Sequence, residues 1–185
     1  WVFATALYGA NPMSDNNYIH EILRGEWKVD SRIISRVLYA RGLVENFLEY
    51  CLESIPWHRY AIVGFTSTFE QNLSSLALAK KIKKKYPKIT TVFGGANWED
   101  EMGEELHRCF PFVDYVCKGE GDISFPLLVK GVLNSSKSQK AISKIKGIVY
   151  RLKGRSTNTG PRDLIQDLDS LPFPDYKDYF SELEE

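Results

Sequence analysis

The sequence predicts an α/β domain built on a parallel sheet, and three observations carry that reading. Ala61–Phe65 and Ile89–Phe93 are short apolar runs with β-branched members, long enough for buried strands and too short for helices. An amphipathic stretch lies between them, which makes a strand–helix–strand unit whose strands run parallel through a right-handed crossover. Each strand ends in small or hydroxyl-bearing residues, Thr66-Ser67-Thr68 after the first and Gly94-Gly95 after the second. Ligands of such sheets sit outside the carboxyl ends of the strands, so these loops mark a ligand edge.

The chain has 185 residues, which suits one large domain or one domain plus a tail. Its 24 basic and 24 acidic residues cancel, so nothing electrostatic argues for a nucleic-acid partner. No apolar run approaches the ~20 residues that a membrane helix needs. Cys51, Cys109 and Cys117 form no CxxC pair and no metal spacing, and their odd count suggests a reducing, cytoplasmic compartment.

Trp1–Ala10 is apolar and reads as a helix, or else as a buried strand. Asn11–Asp15 breaks it, and Ser14 or Asp15 caps a short helix running through Leu23, with His20 a surface residue of that helix. Asp30 or Ser31 caps a long helix to about Ile55. Ile33, Ile34, Val37, Leu38, Val44, Phe47, Leu48, Cys51, Leu52 and Ile55 form one wide stripe on it. His58 is a loop residue before the first strand.

After that strand, Ser67…Glu70 and Thr68…Gln71 both fit a capping box. The helix they open ends in the lysines of Lys80–Lys85, a solvated terminus complementing the helix dipole, and Pro87 stops it. Asn97 caps the next helix, which begins Trp98-Glu99-Asp100-Glu101-Met102, packs through Met102, Leu106, Cys109 and Phe110, and closes at Pro111. Val113–Cys117 is a third strand. The loop Lys118-Gly119-Glu120-Gly121-Asp122 follows it, then a helix over Phe125–Leu133. Asn134–Lys140 is a polar linker, Gly147–Leu152 a last strand turned by Gly154, and Ser156–Gly160 a flexible excursion. Asp163–Phe180, acidic, aromatic and carrying two prolines, reads as an extended arm over the domain surface.

In their order and spacing, Thr66-Ser67-Thr68, Gly94-Gly95 and Gly119-Glu120-Gly121-Asp122 resemble the cobalamin-binding domain that stands before radical S-adenosylmethionine enzymes. Val63–Asn72, Phe93–Trp98, Phe110–Tyr115 and Leu171–Tyr176 are similar, more narrowly, to the radical enzymes that mature ribosomally synthesised peptides, bacteriocins among them. The resemblance implies a flavodoxin-like three-layer α/β/α fold with strand order 2-1-3-4-5. Ala61–Phe65 would then be its third strand, with the first strands lying upstream of Trp1. It divides the chain into a cobalamin-binding-like domain over residues 1–153 and a linker over 154–185 leading to a radical barrel.

Thr66 stands where that fold usually has Ser in a Ser-x-Leu/Thr loop against the corrinoid's lower face or nucleotide tail, and Thr68 holds the third position. Gly94 and Gly95 match the double glycine that admits the tail into the sheet. Gly119, Glu120 and Gly121 match the loop before the final helix. With Ser67, Gln71, Ala96 and Asn97 from the same loops, these are the cofactor-binding residues the resemblance implies.

The resemblance further implies cobalamin here, with S-adenosylmethionine and a 4Fe–4S cluster elsewhere in a parent methyltransferase or other radical enzyme. A ribosomal precursor peptide is the implied substrate, and a homodimer through an exposed sheet edge the implied assembly. Two departures stand out. The Asp-x-His-x-x-Gly motif that gives some cobalamin proteins a cobalt ligand is absent, and so is Cys-x-x-x-Cys-x-x-Cys, so this piece by itself is not catalytic. The alternative is a degenerate flavodoxin-like module that binds no cofactor and grips the peptide or the catalytic barrel. No GxGxxG or P-loop supports an ordinary flavin or nucleotide binder.

Overall fold

A computed structural model describes residues 1–134 and 138–183. Five strands, β1 (Ile62–Thr66), β2 (Thr90–Gly94), β3 (Tyr115–Cys117), β4 (Ile148–Leu152) and β5 (Arg155–Asn158), form one sheet in sequential order. β1, β2 and β3 are parallel, with Val63 opposite Thr91 and Phe93 opposite Val116. β4 and β5 run antiparallel to their neighbours, with Ile148 opposite Cys117 and Asn158 opposite Val149.

The helices are α1 (Ala4–Tyr8), α2 (Pro12–Asn17), α3 (Ser31–Gly42), α4 (Val44–Ser54), α5 (Gln71–Lys85), α6 (Asp100–Cys109), α7 (Gly121–Leu133), α8 (Ser138–Ile142) and α9 (Lys177–Leu183), with a π-helical segment over Tyr18–Glu26. No helix among the described residues is long and apolar enough to cross a membrane.

The sheet is the middle layer of an α/β sandwich. On one face Leu76, Ala77 and Ala79 of α5 pack on Phe93, Trp98, Val116 and Val149, with Leu7 of α1 and Val44 and Leu48 of α4 outside them. On the other, Leu128 of α7 and Ile142 of α8 pack on Val92, Cys117, Ile148 and Tyr150. The alternation along β2 decides this division, because Phe93 faces α5 and Val92 faces α7. Phe93 lies between Phe65 and Trp98, with ring centroids 4.7 and 4.4 Å away.

Several local expectations are corrected. The expected α2 cap, Ser14 or Asp15, gives way to Asn11, whose side chain accepts the Ser14 N–H ahead of Pro12. The long helix is broken at Leu43, where the chain tightens to bond Ala40. Its apolar stripe is narrower than expected: Ile34, Val44, Leu48 and Leu52 are buried, whereas Ile33, Leu38, Phe47 and Ile55 are exposed. Asp30 does cap α3 through the Arg32 N–H.

The lysine run is also more engaged than a solvated helix end. Lys80 donates to the Leu7 carbonyl, Lys81 pairs with Glu45 and Glu49, and Lys83 pairs with Asp114. α6 starts after Glu99, whose side chain caps no helix N–H, rather than from Asn97, and its buried residues are Gly103 and His107 rather than Met102 and Cys109. α7 opens at Gly121, four residues before the expected Phe125, with Pro126 inside it. Of the linker expected over Asn134–Lys140, residues 135–137 lie outside the described residues, and α8 begins at Ser138.

The expected flexible excursion at Ser156–Gly160 is mostly strand, and the sheet runs on to Asn158. Ser156 is held there by His107, whose Nδ1 accepts the Ser156 hydroxyl at 2.7 Å. His107 Nε2 donates to the Asp114 carbonyl at 3.1 Å, so this buried imidazole ties α6 to both β5 and the approach to β3.

Candidate functional site

The loops after β1, β2 and β3 meet at the carboxyl edge of the parallel strands. The first two are stitched together. The Ser67 N–H donates to the Gly94 carbonyl at 2.9 Å, and the Asn97 N–H donates to the Ser67 carbonyl at 2.9 Å. The Asn97 amide also donates to the Ser67 hydroxyl at 2.9 Å and to the Phe69 carbonyl at 2.6 Å. Gly95 makes this possible: its φ of +89° belongs to glycine, and a Cβ there would lie 2.7 Å from the Ser67 carbonyl oxygen. The third loop is clipped to the second by Glu99, whose carboxylate accepts the Gly119 N–H at 2.7 and 2.9 Å.

An open cleft of about 730 Å³ lies among these loops. Thr66, Gly94, Gly95, Gly119 and Gly121 line it, as expected from their positions at the strand ends. Gly64, Val92, Cys117, Asp122, Phe125, Pro126 and Pro172 line it too. The walls are chiefly apolar, and Asp122 brings the one charged side chain among the lining residues. Gly64 and Gly119 border open space, because a Cβ at either would meet nothing within 4 Å. Cys117 and Ser124 lie 3.0 Å apart, sulfur to oxygen, beneath the cleft. Burial pushes the Cys117 thiol up, against the hydrogen bond to Ser124, so it is protonated at neutral pH.

The other expected residues serve the loops themselves. Ser67 is fully buried in the stitch. The Gln71 side-chain oxygen accepts the Thr68 and Phe69 N–H groups, the reaching-back half of the capping box, while no side chain caps α5 from Glu70. Ala96 faces a separate acidic depression with Glu99, Asp100 and Glu101. Glu120 turns to the carboxy-terminal arm: its carbonyl accepts Arg162 Nη1 at 2.5 Å and its carboxylate accepts the Ile165 N–H at 3.1 Å.

Sequence reasoning missed Gly64, Cys117 and Pro172 as wall residues. Gly64 carried a usable signal, since a glycine inside a strand marks a close approach or a bare patch of sheet. Among the described residues, no three His, Cys, Asp or Glu side chains gather as a metal-holding group.

The fold and the cleft define an α/β domain with an apolar, glycine-bordered cleft at the ends of its parallel strands. No protein-family profile matches the chain. A stretch of 115 residues is 32% identical to an uncharacterised methyltransferase of Pyrococcus horikoshii, and covers 62% of this chain and 24% of that relative. The chain therefore matches about a quarter of the relative's length.

Proposed function

We propose that the cleft holds a corrinoid, and that this chain is the cobalamin-binding part of a radical S-adenosylmethionine methyltransferase acting on a ribosomal precursor peptide. The observation that carries the proposal is the bare border of the cleft. Gly64 and Gly119 leave open space beside apolar Val92, Phe125 and Pro126, room for a corrinoid's nucleotide tail. The similarity to an uncharacterised methyltransferase supports a methyl-transfer parent.

When bound, a corrinoid would supply a transferable methyl group on its metal. This chain's residues would bind and orient it. The Thr66 hydroxyl offers a hydrogen bond, Asp122 accepts from amide or hydroxyl donors, and the apolar wall excludes water. The S-adenosylmethionine and the 4Fe–4S cluster would be held by other parts of the parent, since this chain has no Cys-x-x-x-Cys-x-x-Cys.

A second reading is favoured by Phe69, Phe125 and Phe173, which are 79, 38 and 94% exposed on or beside the cleft-lining segments. Such rings suit an apolar peptide or the face of a catalytic barrel. One measurement separates the two. Purified protein mixed with hydroxocobalamin and desalted retains the visible corrin bands if the cleft is a cofactor site, and loses them if it is a peptide- or barrel-binding module.

A further inference from the structure

We propose that the arm Gly160–Phe173 is a wall of the ligand site, with Pro172 and Phe173 touching the ligand and Glu120 as the residue that positions them. This rests on the cofactor reading of the cleft and adds a part to it.

The arm leaves β5 beside the cleft and is fastened there at successive points. The Gly147 N–H donates to the Gly160 carbonyl at 2.9 Å, and the Ile148 N–H donates to the Thr159 hydroxyl at 3.0 Å. Arg162 then donates to the Glu120 carbonyl, and the Ile165 N–H to the Glu120 carboxylate. Both neighbours of Glu120, Gly119 and Gly121, line the cleft, so the arm is tied to the loop that frames the cavity.

The use of the Glu120 carboxylate is informative. Glu120 is the residue before α7, yet its side chain caps no helix N–H. A free carboxylate at a helix start ordinarily serves the helix. Here it fixes a segment distant in sequence. Beyond a single turn at Leu168–Ser170 the arm brings Pro172 into the wall of the cleft. Phe173, 94% exposed, stands next to it between two prolines that stiffen the backbone. An apolar segment with an unburied ring one residue from a cavity-wall proline is suited to lie against a broad flat ligand.

The test follows amide hydrogen exchange in peptides covering 163–173, with and without hydroxocobalamin, alongside corrin retention. Wild type, Glu120→Ala and Phe173→Ala are compared. Hydroxocobalamin should slow exchange of the wild-type arm about tenfold or more. Glu120→Ala should speed arm exchange about tenfold, leave the core strands unchanged, and weaken corrin retention about tenfold. Phe173→Ala should weaken retention while the Ile165 amide keeps its protection.

Corrin held equally by all three proteins would overturn the arm's role and leave the cofactor reading standing. A wild type that retains no corrin, with Ile165 still protected, would overturn the cofactor reading and the arm proposal with it.

Discussion

Gly95 and Ser67 occupy each other's space. The side on which a Cβ of Gly95 would stand is taken by the Ser67 backbone, at 2.7 Å from its carbonyl oxygen and 2.9 Å from its nitrogen. The glycine pair after β2 was expected to open a path for a ligand. Gly95 lets two loops close on one another and also lines the cleft, whose open space lies beside Gly64 and Gly119.

Gly95→Ala should therefore act on the fold. Its φ of +89° is strained for any side chain, and the Ser67 backbone must shift. A loss of about 2 kcal/mol or more is expected in denaturant unfolding. An unchanged midpoint would mean that the loops yield easily.

Gly64→Leu should do the reverse. Nothing lies within 4 Å of a Cβ there, so stability should stay near the wild-type value while the side chain fills the cleft. Hydroxocobalamin retention should fall at least about tenfold. Thr66→Ala, losing one hydroxyl at the same cleft, should cost on the order of 1 kcal/mol of binding. Full retention by the leucine variant would remove the cofactor from this cavity.

The three cysteines should separate in reactivity. Cys109 is exposed, Cys51 is partly covered and Cys117 is buried. Burial raises the Cys117 thiol above its ordinary range, which lowers its thiolate fraction at neutral pH. A thiol reagent such as DTNB should titrate Cys109 first and Cys117 last. Hydroxocobalamin should slow Cys117 further without altering Cys109, as read by peptide mass mapping.

His107 gives the pH dependence. Burial lowers its folded pKa, the Asp114 carbonyl opposes that, and the Arg151 charge adds to it. The unfolded imidazole, near 6.5, takes its proton first. Below that pH the unfolded state binds more protons, so stability falls as pH drops from about 6.5 towards the folded value. Urea melts between pH 7.5 and 5.5 should show this slope, and His107→Gln should flatten it. A slope unchanged in the variant would assign it to other groups.

The unit β1–α5–β2 was legible because its strands are short unbroken apolar runs and its helix packs through adjacent Leu76, Ala77 and Ala79. The meeting of the three loops was legible too, since parallel strands put their carboxyl ends on one side. β5 was not. Arg155-Ser156-Thr157-Asn158 has no apolar member, and its place depends on backbone pairing with β4 and on His107. The reversal at β4 was equally hidden, because an apolar run such as Ile148–Leu152 fixes burial and not direction. The site suffered from the same limit. Gln71 and Asn97 have the right chemistry for a ligand, but the backbone of their own loops claims it.

That reversal decides where the polypeptide goes next. A fourth parallel strand would have ended at the cleft rim by itself, whereas antiparallel β4 starts beside Cys117 and carries the chain to the opposite rim. The U-turn at Lys153-Gly154 and β5 then bring it back to the rim where Cys117 ends, with Asn158 beside Val149. One extra or missing residue in that bend would retract Arg162, Ile165 and Pro172 together, and the cavity would lose a side without any change in the residues that face it.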